Sequence, residues 1–211
     1  MDSILGISRI TLYISAILPF LFLINVRKAN PAYISFLAYL ICMALIQVMS
    51  RVLVLKGEHN IFLIHYMLFM QFITLSLFFY FILKKRWVLY LSGSILILFV
   101  VQYLFFIKVE NSYNPLGLAV CGLIITFYAG RYLYSLINKK GKYLYITLGS
   151  LIYFSLSIMV FGLGNVGLEI KKSVIDLLFY FNAYGYLIFQ VLCIINWYIF
   201  LRDRNKQGIM T

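Results

Sequence analysis

Apolar runs of roughly twenty residues follow one another along this chain, separated by short polar breaks. They cover about residues 10–26, 32–55, 61–83, 87–107, 115–137, 143–161 and 174–201. A helix needs about 20 apolar residues to cross the hydrocarbon core of a bilayer. The pattern therefore predicts an all-α integral membrane protein. Residues 1–211 form one domain, a seven-transmembrane-helix bundle, with no stretch left over for a separate soluble unit. The breaks carry helix-start chemistry. Asn30-Pro31 and Asn114-Pro115 each place a side chain able to cap exposed N–H groups just before a proline. Proline is tolerated at the first helical position because its missing donor would be unpaired there anyway.

Polar residues inside the runs are few, and their spacing is informative. In the last run, Asn182, Tyr186, Gln190, Cys193 and Asn196 recur every three to four residues. At 3.6 residues per turn they share one face of a helix. That face needs neighbours, and Leu178, Leu192, Ile199 and several phenylalanines on the other faces are free to meet lipid. Pro19, inside the first run, frees the carbonyl of Ser15 and predicts a kink. Gly122, Thr126 and Gly130 step by four along the fifth run, and Thr147, Ser150 and Ser157 lie in the sixth. Small residues in such rows let two helix backbones approach closely.

Composition and charge bring in orientation. Hydrophobic residues make up 64% of the chain and charged ones 11%, against about a quarter charged in soluble domains. The net charge of +12 is a topology signal here and gives no reason to expect nucleic acid as a partner. Twelve of the eighteen Lys and Arg fall in the breaks after helices 1, 3 and 5 and in the tail. They are Arg27, Lys28, Lys84, Lys85, Arg86, Arg131, Lys139, Lys140, Lys142, Arg202, Arg204 and Lys206, accompanied by one acid, Asp203. That side carries +11, while the other, with six bases against five acids, carries +1. Basic loops stay in the cytoplasm, so the expectation is an N-terminus outside and a C-terminus inside. The first residues lack a basic region and no A-x-A-like site follows the first run, so it is read as a retained helix. The richness in Ile, Phe, Tyr and Lys points to an AT-rich bacterial genome and hence to an inner membrane.

With that orientation, Gln47, Arg51, Gln102, His65, Asp176 and Asn182 fall in the outer half and Gln71 near the midplane. A charge left unpaired at the bilayer centre costs about 2.5–3.5 kcal/mol by insertion scales. These groups are expected to turn toward one another or toward a cleft open to the outside. Read as a ligand site, Arg51 would take an anionic group, His65 and Asp176 would be ionisable partners, and the amides would supply hydrogen bonds. Read structurally, Gln47, Gln102, Gln190 and Asn196 tie helices together, while Arg51 and Asp176 reach for the interface.

Several chemistries lack their residues. His59 and His65 are the chain's two histidines and the cysteines are scattered, so no metal set is expected. No lysine lies in the last run to carry retinal, Ser92-Gly93-Ser94 is not a rhomboid nucleophile motif, and no helix carries a periodic Arg or Lys row for voltage sensing. The glycine-rich stretch Gly162-Leu163-Gly164-Asn165-Val166-Gly167 lacks the Lys-Ser/Thr ending of a phosphate loop and reads as a flexible connection. No cofactor is expected. In helix number and orientation alone, the chain resembles the seven-helix sensory and receptor-like bundles of bacteria. The expectation is a sensor-like subunit that binds a small or lipidic ligand in the outer half and acts through a protein partner. Its basic face would rest on membrane lipid. The alternatives are a transporter subunit with helix 7 lining the path, a lipid-modifying enzyme using His65 and Asp176, and a structural subunit with no ligand.

Overall fold

A computed structural model describes residues 2–26, 29–105, 107, 114–139, 141–163 and 172–208. For residues 2–5, 8, 163, 172–173, 175–176 and 203–208 the description is of the backbone alone. Among the described residues there are seven helices: α1 Asp2–Leu23, α2 Pro31–Leu55, α3 Leu63–Leu83, α4 Trp87–Phe105, α5 Pro115–Ser135, α6 Leu144–Leu163 and α7 Lys172–Gly208. There is no strand among the described residues. The two Asn-Pro starts behave as their chemistry requires. Asn30 Oδ1 accepts from Tyr33 N at 3.0 Å, and Asn114 Oδ1 accepts from Gly117 N at 2.8 Å.

Among the described residues six helices, α2 to α7, are long and apolar enough to cross a membrane, and the fold is that of a multi-pass membrane bundle. The first helix differs from the expectation. It starts at Asp2, ahead of the expected residue 10, and runs as helix through the buried Pro19 to Leu23. At the other end, α7 continues past its hydrophobic segment to Gly208.

Neighbouring helices follow the order α1, α2, α3, α5, α6, α7 and back to α1, a closed ring of six. The fourth helix stands outside it, in the groove between α3 and α5. It buries Val88, Ser92 and Phe99 and leaves Tyr90, Ile97, Leu98 and Leu104 exposed. Tyr128 of α5 anchors it through Ser92 Oγ at 2.9 Å and by donating to Val88 O at 3.2 Å.

The short loops make consecutive helices antiparallel, so the loops after α1, α3 and α5 and the C-terminal end of α7 share one end of the bundle. Lys84, Lys85, Arg86, Arg131, Lys139, Lys142 and Arg202 there are all exposed. Arg27, Lys28 and Lys140, with the side chains of Asp203, Arg204 and Lys206, lie outside the described residues, as does most of the glycine-rich stretch, residues 164–167.

Lipid tails are as apolar as leucine, so burial does little to drive helices together in a bilayer, and close packing must do the work. Two devices supply it. The first is aromatic. At the basic end Phe36 packs on Phe22 at 5.5 Å, on Phe78 at 5.3 Å and edge-on to Phe189 at 6.4 Å, joining α1, α2, α3 and α7. Such separations are those of favourable ring pairs. The second is glycine. A Cβ on Gly149 would lie 3.1 Å from the Cα of Phe189, and one on Gly122 would lie 2.9 Å from Ile158 Cγ1 and 3.4 Å from Phe154 O. These are the places where α6 meets α7 and α5. Gly185 meets Leu156 in the same way, with 2.6 Å to its Cδ1. Among the described residues Gly130 has no such neighbour within 4 Å, and Thr126 Oγ1 is buried without a hydrogen-bond partner.

The last carbonyls of α1 have no partner in their own helix. Trp197 Nε1 donates to Leu21 O at 2.7 Å and Tyr33 Oη to Phe22 O at 2.7 Å, so α7 and α2 together close that helix end.

Candidate functional site

At the end of the bundle opposite the basic loops, α1, α2, α3, α6 and α7 enclose a cavity of about 590 Å³. Its size is that of a small-molecule site. The second helix contributes the largest share of the wall because Tyr39, Met43, Ile46, Gln47, Ser50, Arg51 and Val54 recur at three- and four-residue steps. Arg9 and Arg51, both exposed, stand toward the mouth with Asn60, whose Nδ2 donates to Ser50 Oγ at 2.6 Å. Met43, Ile46, Ile64 and Met67 form the apolar sides, and Tyr39, Gln71, Tyr153 and Tyr186 lie deepest.

The deep end is a polar network. Gln47 Nε2 donates to Tyr186 Oη at 2.8 Å, and Tyr186 Oη is hydrogen-bonded to Ser15 Oγ at 3.1 Å. Gln190 Nε2 donates to Thr11 O at 2.9 Å and also to Ser15 Oγ. Asn182 Oδ1 accepts from Ser157 Oγ at 2.7 Å, and Gln71 Nε2 reaches Cys121 Sγ at 3.7 Å. Two buried groups in this region stay unsatisfied among the described residues, Tyr39 Oη and Gln190 Oε1. Tyr39 is only 1% exposed. An orphaned buried polar atom is costly, on the order of 1–3 kcal/mol, so these two groups are the least satisfied points of the network.

The candidates read from the chain thus divide. Gln47, Arg51, Gln71, Asn182 and Tyr186 line the one cavity. His65 and Gln102 do not. His65 Nδ1 is hydrogen-bonded to Tyr103 Oη, and its ring meets Tyr103 edge-on at 5.2 Å on the α4 side of α3. The reason is angular: His65 and Gln71 are six residues apart, and at 100° per residue they cannot share a face. Gln102 forms a double amide pair with Asn114, at 2.9 and 3.3 Å, which ties the end of α4 to the start of α5. The Asp176 side chain lies outside the described residues.

The polar stripe of α7 faces the bundle throughout its length. Beyond Gln190 it continues through the buried Cys193 to Asn196, whose Nδ2 donates to Lys142 O at 3.3 Å at the basic end. Among the described residues, no three His, Cys, Asp or Glu side chains come together as metal ligands would.

Arg9, Tyr39 and Tyr153 are site residues that sequence reasoning passed over. Stepping back by four from Gln47 on α2 reaches Met43 and then Tyr39, so the second helix carried a usable signal. Arg9 read as one more topology charge.

The fold and the cavity together define a helical multi-pass membrane protein with a ligand-sized, two-arginine pocket at one end. No known family profile matches the chain, and no curated protein or solved structure is recognisably similar to it.

Proposed function

We propose that the protein is a receptor- or sensor-like subunit of a bacterial inner membrane. Its N-terminus lies outside, it takes a small or lipidic ligand in the outer-half pocket, and it acts through a protein partner at the cytoplasmic, basic face. The observation that carries this reading is the pocket itself. Five helices converge on it, and it gathers five of the separately placed polar residues. The polar face of α7 supports the idea of transmission. It starts in the pocket at Asn182 and Tyr186 and ends on the backbone of Lys142, so a change in how α7 sits is felt at both ends. The orientation rests on the excess of basic residues at one end.

The test is mild-detergent affinity purification from native membranes, with mass spectrometry of co-purifying proteins and small molecules. A stoichiometric protein partner, together with a small molecule retained by the native chain and lost on Asn182→Ala, is the expected result. Recovery of neither would sink the reading and leave a structural subunit in its place.

One observation favours a transporter subunit as the second reading. Below the pocket, Gln190 and Asn196 extend the polar face of α7 toward the opposite end, and Gln190 Oε1 has no partner among the described residues. Single cysteines at these two positions, labelled from each side with a membrane-impermeant maleimide, separate the readings. Labelling from the cytoplasmic side that depends on ligand favours transport; protection from both sides favours a pocket open outward only.

A further inference from the structure

Three carboxamides on three helices line the cavity: Gln47 of α2, Gln71 of α3 and Asn182 of α7. Each is held by the protein at one end. Gln47 Nε2 is engaged by Tyr186, Asn182 Oδ1 by Ser157, and Gln71 Nε2 by the sulfur of Cys121. The other ends, Gln47 Oε1, Asn182 Nδ2 and Gln71 Oε1, have no hydrogen-bond partner among the described residues. They are not sealed in, as Tyr39 Oη and Gln190 Oε1 are, so they open onto the cavity their side chains line. Gln71 is the most telling of the three. It is 5% exposed, and that small remainder is cavity wall. Its nitrogen is held weakly as well, because a thioether or thiol sulfur is a poor acceptor. The amide therefore gives up little by turning either end to a ligand.

Depth and charge narrow what fits. Gln47 lies eight residues before the end of α2 and Gln71 eight residues after the start of α3. In these antiparallel neighbours the two amides share a level, roughly 12 Å below the loop at 1.5 Å per residue. Val54, Ile64 and Met67 line the cavity between that level and the mouth, where Arg9 and Arg51 are exposed. At the amide level no described lining residue is charged, and burying an unpaired ion is far more costly than burying a hydroxyl or an amide. We infer that the pocket selects an uncharged ligand, an apolar body bearing a hydroxyl or carboxamide group, and that Gln71 binds this group. The apolar body lies against Met67, Ile64 and Val54. This rests on the pocket being the ligand site of the proposed receptor and names the chemistry of the ligand. Hydroxyl and carboxamide each donate and accept, as either end of Gln71 requires, and the probes below distinguish them.

The experiment is equilibrium binding to the full chain in zwitterionic nanodiscs, using decane, decanol, decanamide, decanoate and decylammonium. Each affinity is referred to the probe's concentration in the bilayer, so that partitioning cancels. Decanol or decanamide is expected to bind about fivefold tighter than decane, the scale of one neutral hydrogen bond. Whichever of the two binds tighter identifies the group. Both ions should bind more weakly than decanamide. Gln71→Met, which keeps the length of the side chain, should remove the preference over decane while decane itself still binds.

Equal binding of decane, decanol and decanamide to the native chain overturns the inference while leaving a pocket-binding receptor intact. So does a preference that survives Gln71→Met, since another group would then provide it. Tightest binding by decanoate or decylammonium overturns the neutral ligand in the same way. Ala183→Phe and Ile64→Trp fill the cavity from two different helices and should abolish binding of every probe. Binding that persists in both, or no binding to the native chain, overturns the inference together with the pocket site on which it rests.

Discussion

Asn30 serves two helices with one oxygen. Its Oδ1 caps the start of α2 through Tyr33 N and accepts from Tyr143 Oη at the foot of α6. Loss of a cap costs about 1 kcal/mol, up to about 2, whereas interhelical side-chain bonds in membranes average about 0.6 kcal/mol. Asn30→Ala is therefore expected to lower stability by about 1–2 kcal/mol and Tyr143→Phe by about half a kcal/mol. Reversible unfolding in mixed micelles reads both, and equal losses would show that the cap contributes nothing. Burial pushes the Tyr143 hydroxyl up to about 12 from 10.0, partly opposed by its bond to Asn30. The unfolded chain then loses this proton at lower pH than the folded one, so stability should fall as pH rises between about 10 and 12. In Tyr143→Phe that part of the fall should be missing. Capping of this kind was legible in the chain, because Asn-Pro acts on its own next few residues. The Tyr143 contact was not, since it joins positions 113 residues apart.

At the scale of elements, the glycines that matter are those with a neighbour. Gly149→Leu must displace Phe189 at both ring and backbone and is expected to cost about 1–3 kcal/mol or more, as overpacking does. Gly130→Ala meets nothing within 4 Å and should be neutral or slightly stabilising. The same unfolding measurement compares them, and a damaging Gly130→Ala would mean that a surface seen here as open is covered. The expected row Gly122, Thr126, Gly130 thus brings a helix close at its first member. Helical spacing identified a face of α5, but which helix lies there, and at what depth, depends on α6. Gly149 and Gly185 lie where α6 and α7 meet, and no row of small residues announced them.

For the whole molecule, the number of helices and the partition of charge were legible because both depend on local composition. The site was legible in part. Periodicity assigned Asn182 and Tyr186 to one face of α7, Gln47 and Arg51 are four residues apart on α2, and the ring brings these two pairs together. His65 and Gln102 share a depth with them but not a direction, because depth follows from position along a helix and direction from the tertiary arrangement. The proposed orientation has its own check. Single cysteines replacing the exposed Glu58 and Arg86 should label from outside the intact cell and only after permeabilisation, respectively. The reverse pattern would invert the bundle and place the pocket in the cytoplasmic half.

The position of α4 has a further consequence. The third and fifth helices are ring neighbours that run the same way, as two parallel strands do in a sheet, and parallel neighbours require a crossover. The fourth helix is that crossover: a return stroke across the membrane that adds little to the ring's interior. Excising it while keeping the loops would take away one crossing without opening the ring's core. It would also start α5 from the wrong surface, so that α5 to α7 met α1 to α3 upside down and the chain ended on the side where it began. The helix with the least buried surface is thus the one that sets the orientation of everything after it.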